Sequence, residues 1–129
     1  MKTRIMLTAG LFALLAVTAA FGQPSSLRAT VDFPFSVDGK VLPAGTYDFM
    51  KNEEAGIFKV TDEGKNEAAA QIETRLAAGV RDTPKNALVV FDKVGQNYVL
   101  SEIWIPGEDG FVLAVTKAKH EHKIINVKY

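Results

Sequence analysis

Apolar and polar residues alternate from Leu27 to Val37, and this two-residue period constrains the fold more than any motif in the chain. The odd positions are Leu27, Ala29, Val31, Phe33, Phe35 and Val37; between them stand Arg28, Thr30, Asp32, Pro34 and Ser36. Successive side chains of a strand point to opposite faces, so the pattern predicts a strand with one face buried and one solvated. Pro34 has no N–H to give a ladder, which puts this strand at a sheet edge or bends it there.

The rest of the chain repeats the theme. Asp38-Gly39 suits a two-residue turn that needs positive φ. Lys40–Leu42 is a brief return, and Pro43-Ala44-Gly45 breaks it. Strands are expected at Thr46–Lys51, Ile57–Thr61, Ala87–Val94, Tyr98–Ile105, Phe111–Thr116 and Ile124–Tyr129, with Lys117–Lys123 polar between the last two. Asn52–Gly56, Asp62–Asn66, Gly95–Asn97 and Pro106–Gly110 read as turns. Ala68–Ala78 fits two templates. As a helix it puts Ala69, Ile72 and Leu76 on one face; as a strand, Ala68, Ala70, Ile72 and Leu76 alternate with Gln71, Glu73 and Arg75. Its strand-like neighbours favour the strand. Gly79–Asn86, with Pro84 inside it, is expected as a surface loop.

Strands at intervals of about 8–12 residues, with turn signals between them, predict an all-β fold. The expectation is a single antiparallel β-sandwich or flattened barrel of about seven to nine strands, preceded by an N-terminal signal-peptide helix. Met1-Lys2-Thr3-Arg4 is a basic start, Ile5–Ala20 is apolar and Ala-rich, and Ala20-Phe21-Gly22 places small residues at the cleavage positions before Gln23. That layout predicts a secretory signal peptide over 1–22 and one β domain over 23–129, working in the periplasm or outside the cell. The apolar run is short for a bilayer span, which takes about 20 residues, so no stable membrane insertion is expected after cleavage.

Composition narrows the function. The chain has no cysteine, which excludes thiol chemistry, disulfides and Cys-ligated metals. Its 15 basic and 15 acidic residues are scattered, which gives no footprint for nucleic acid. There is no glycine-rich phosphate loop, and no cofactor is expected.

Two runs carry a resemblance. Phe35-Ser36-Val37-Asp38-Gly39-Lys40-Val41-Leu42-Pro43-Ala44-Gly45-Thr46-Tyr47 resembles the opening of a group of small exported bacterial all-β proteins. Tyr98-Val99-Leu100-Ser101-Glu102-Ile103-Trp104 resembles a second hallmark of that group. The group has no assigned activity, so the resemblance implies an exported β-domain and adds no chemistry. The C-terminus departs from the group. A charged, helix-like tail is usual there, whereas this chain has His120-Glu121-His122 and then the strand-like Ile124–Tyr129.

Each candidate site competes with a structural reading. Glu102 shares a strand parity with Tyr98, Leu100 and Trp104. If that face is solvated, Tyr98, Glu102 and Trp104 form a strip able to stack a sugar ring or a peptide side chain. If it is core, Glu102 needs a buried partner such as Arg75 or Arg81. His120 and His122 would share one strand face and could share an ion, but Lys119 and Lys123 flank them and no spaced ligand set accompanies them; no metal site is expected. Ser25, Ser26, Ser36 and Ser101 lie outside any nucleophile-elbow motif, and Glu53-Glu54 and Glu108-Asp109 read as turn residues. The expected function is therefore non-enzymatic: an envelope or extracellular interaction or accessory module, with an envelope protein or a glycan as partner. Carbohydrate or small-ligand binding around Trp104 is the first alternative, and an unrecognised hydrolase the second.

Overall fold

The computed structural model describes residues 26–63, 65–77 and 86–128. The expected signal peptide, its cleavage site, Arg81 and nearly all of the Gly79–Asn86 loop lie outside them. The described residues form eleven strands and no helix: β1 (Ser26–Val31), β2 (Phe35–Val37), β3 (Lys40–Leu42), β4 (Gly45–Asn52), β5 (Ile57–Thr61), β6 (Glu67–Gln71), β7 (Thr74–Leu76), β8 (Asn86–Val94), β9 (Asn97–Trp104), β10 (Gly110–Val112) and β11 (Glu121–Lys128). One sheet runs β1-β4-β5-β6. The other runs β11-β8-β9-β10-β7, with β2 joined to β9 and β3 joined to β2.

Eleven strands replace the nine segments read from the sequence because two of those segments split. The Leu27–Val37 run breaks at Pro34: β1 lies in the first sheet and β2 in the second. The β1 ladder ends at Val31, and the chain changes sheets across Asp32–Pro34, where Pro34 has no N–H to extend a ladder. The described part of the ambiguous 68–78 segment, up to Ala77, holds strands rather than a helix, and it too divides between sheets, with β6 in the first and β7 in the second. Two backbone bonds carry that crossing, Ile72 N–H to Gly56 O and Glu73 N–H to Val112 O. The pairing is antiparallel except at one point, a parallel bridge between Ser36 and Val99.

Turn chemistry follows the residues. Asp38 and Gly39 adopt φ of 48° and 85° in the β2–β3 turn, the backbone that a two-residue hairpin needs. Gly107 follows Pro106 at φ 82°, and Glu108 N–H bonds to Ile105 O. In the Pro43–Tyr47 corner, the Tyr47 hydroxyl donates to the Pro43 carbonyl at 2.6 Å while its ring enters the core.

The inner faces of both sheets contribute to one apolar core. Leu27, Ala29, Val31, Tyr47, Phe49, Phe58 and Val60 come from the first sheet. Phe35, Val37, Ala87, Val89, Phe91, Leu100, Ile103 and Phe111 come from the second. Phe35 packs edge-on against both Tyr47 and Phe91, tying the sheets together. A second, smaller cluster of Leu88, Val90 and Trp104 lies on the opposite face of the second sheet, with Leu76 packed against it.

Candidate functional site

The expected Tyr98–Glu102–Trp104 strip does not form, and a β-bulge is the reason. Phe91 pairs with Leu100 but Val90 pairs with Glu102, so Ser101 is an extra residue on β9. The bulge reverses the parity of the strand. Tyr98 and Leu100 face the main core, as do Ile103 and Ile105 beyond it, while Glu102 and Trp104 face the outer cluster. Leu113 and Ala114 satisfy the bulge: their N–H groups bond to the Ser101 carbonyl, and the Ser101 hydroxyl donates to Ala114 O.

Trp104 is fully buried and Glu102 is 8% exposed. The indole Nε1–H donates to Glu102 Oε1 at 2.8 Å. Glu102 is therefore a buried acceptor for the tryptophan rather than the centre of an exposed strip. Arg75, one of the two partners considered for it, lies instead over the Phe111 ring at 5.1 Å. Tyr98 is half-buried, stacks on Phe33 with centroids 4.0 Å apart, and has Lys93 Nζ over its ring at 5.8 Å.

Of the residues considered for hydrolysis, Glu53 and Glu108 are engaged by Lys51. Lys51 is 6% exposed at the end of the core, with Glu53 at 3.1 Å and Glu108 closer still. Burial works to lower the titration point of the Lys51 ammonium, and the hydrogen bonds it donates to Glu108 and Glu53 outweigh it, so it titrates above its usual range. Lys51 in turn holds the Glu53 carboxyl below the usual carboxylate range.

Two places on the surface have the character of sites. The first is a hollow of about 560 Å³ lined by Pro34, Phe35, Ser36, Val41, Gln96, Asn97, Tyr98 and Val99. Val41 beside it is 70% exposed. It lies on β3, which pairs with β2 alone among the described residues.

The second is a cluster of Asp92, His120 and His122. The last strand begins at Glu121, earlier than the expected Ile124, and this places His122 directly across from Asp92 in the β8–β11 ladder. His122 Nδ1 is 3.0 Å from Asp92 Oδ1, and His120 Nε2 is 3.7 Å from the same oxygen. The two imidazoles stand nearly perpendicular, with centroids 5.1 Å apart. Asp92 is 2% exposed. Sequence reasoning noticed the two histidines but not Asp92. The available signal was a single acid directly after the apolar Ala87–Phe91 run, on the parity of Leu88 and Val90.

Comparison with protein-family models, curated proteins and solved structures finds no match for this chain.

Proposed function

We propose that this chain is an exported, non-enzymatic β-sandwich that serves as an interaction or accessory module in the periplasm or outside the cell. The basic, apolar and small-residue layout of residues 1–22 supports the location. The structural employment of Glu53, Glu108 and Ser101 supports a non-catalytic role.

The observation that carries the reading is the β3 edge. Val41 is a large apolar side chain on a short strand with one paired neighbour among the described residues, beside a hollow rimmed by Tyr98 and Val99. Natural edge strands are usually blunted, and an apolar one is a template for a partner's extended segment. The partner is an envelope protein that adds a strand along Lys40–Leu42 and seats a side chain in the hollow. The exposed amides of Gln96 and Asn97 on the rim favour a glycan as the second class of partner.

The test expresses the full chain in a bacterial host with a photo-cross-linking residue in place of Lys40. The exported product should begin at Gln23, and irradiation should give a discrete adduct with one envelope protein that Val41→Asp abolishes. Retention of residues 1–22 in the cell interior overturns the location. An adduct pattern unchanged by Val41→Asp overturns the interface, and specific glycan-array binding lost in the same variant replaces the protein partner with a carbohydrate.

A further inference from the structure

We propose that Asp92, His120 and His122 form a binding site for a divalent transition-metal ion of the zinc, copper and nickel class. The inference is independent of the β3 edge.

Three observations carry it. The first is convergence. A single oxygen, Asp92 Oδ1, lies 3.0 Å from His122 Nδ1 and 3.7 Å from His120 Nε2. Two donors on a tetrahedral ion with bonds of about 2.0–2.1 Å stand about 3.3 Å apart, between these two distances. The three donor atoms all lie within 4.8 Å of one another, so the imidazoles need only close on a shared ion beside Asp92, leaving a fourth position open.

The second is the orientation of His120. Its Nδ1 is 2.8 Å from the Ala118 carbonyl oxygen, which only accepts, so Nδ1 carries a proton and donates. In the neutral ring this leaves the lone pair on Nε2, facing Asp92. A lone pair aimed at a carboxylate is repelled unless a proton or a metal ion lies between them. A backbone carbonyl that fixes the far nitrogen of a ligating histidine is the usual outer support of such a ligand.

The third is the burial of Asp92. The side-chain ion-pair partners of this buried carboxylate among the described residues are the two imidazoles. Burying a carboxylate is costly unless its charge is balanced, and a divalent ion held between it and two neutral imidazoles balances it.

The neighbouring lysines do not fill this position. Lys93 and Lys123 have the opposite strand parity to Asp92 and His122, and Lys93 Nζ lies over Tyr98 on the other side of the sheet. Lys93 and Lys119 line a hollow of about 340 Å³ together with Gly95, His120 and Glu121, and that hollow opens His120 to solvent. Two nitrogens and one oxygen suit borderline ions; magnesium and calcium prefer all-oxygen shells.

The test uses the chain purified without a polyhistidine tag and stripped with a chelator. Zn²⁺, Cu²⁺ and Ni²⁺ are titrated by calorimetry, with Mg²⁺ and Ca²⁺ as controls, and Co²⁺ serves as an absorption probe of coordination. Saturable one-to-one binding is expected, with Co²⁺ giving a visible band. Affinity should fall about tenfold or more in each of His120→Gln and His122→Gln. Both histidines are partly exposed, so these variants should keep the fold, and circular dichroism checks it. The proposal is overturned by the absence of saturable binding for all three ions, by equal binding of Mg²⁺ or Ca²⁺, or by affinity unchanged in both variants.

Discussion

Gly110→Ala should destabilise this protein although it adds one methyl to a strand. Gly110 pairs with Trp104 across the β9–β10 ladder. A Cβ at this position would stand 2.4, 2.5 and 2.6 Å from three carbons of the Trp104 ring. Ordinary carbon–carbon contact is about 3.5–4.0 Å, so the methyl overlaps the indole by roughly an ångström on three atoms at once. The indole cannot swing away freely. It is fully buried, and its Nε1–H is engaged by Glu102. Replacing glycine also stiffens the unfolded chain, a gain of about 0.4–1 kcal/mol. Overpacking costs about 1–3 kcal/mol, and a displaced indole also weakens its hydrogen bond by about 1 kcal/mol. The clash therefore wins, with a net loss of about 2–3 kcal/mol and a fall in Tm on the order of 10–20 °C. The chain has one tryptophan, so urea unfolding followed by its fluorescence reports on the affected residue itself. Trp104→Phe makes room for the methyl, and in that background, followed by circular dichroism, Gly110→Ala should cost much less. A Gly110→Ala protein as stable as the parent refutes the reasoning, and an equal cost in both backgrounds refutes its assignment to the indole.

Tyr47→Phe keeps the ring in the core and removes the hydroxyl that donates to Pro43 O; a loss of about 1 kcal/mol is expected in urea unfolding, and no loss would show that the corner holds without it. The Lys51 cluster should make stability fall at both extremes of pH. Glu53 titrates lower in the folded state, so its contribution is present above the unfolded carboxyl value and lost as pH falls through the lowered one. Lys51 titrates higher, so its contribution is full below the unfolded lysine value and lost as pH rises through the raised one. Lys51→Met should flatten both limbs of a plot of urea midpoint against pH, and unchanged limbs would remove the cluster as their cause.

The strands were legible in the sequence because their signals are local. The period of two at Leu27–Val37 and the Asp38-Gly39 and Pro106-Gly107 pairs each act over a few bonds, and the structure uses them as expected. Pro34 announced a bend, but the change of sheet behind it depends on the partners that β1 and β2 find. The Ser101 bulge left no trace in composition. Its local mark is the polar pair Ser101-Glu102 between Leu100 and Ile103, a break in alternation whose meaning emerges only in the register against β8, where the reversal buries Trp104 and parts it from Tyr98. The histidine cluster was half legible. His120 and His122 advertise themselves, whereas Asp92 stands thirty residues from His122 and joins it only once β11 docks on β8.

The division of the chain between its sheets also sets an order of assembly. All four strands of the first sheet lie within Ser26–Gln71, so they can pair as soon as that stretch leaves the ribosome. The strands that cover their inner face lie mostly in residues 86–128. For the time that the remaining chain takes to emerge, Tyr47, Phe49, Phe58 and Val60 form a finished but uncovered apolar wall. This protein is thus most vulnerable to misassembly while half-made, and a chaperone that shields a nascent sheet would serve it more than one that rescues the completed molecule.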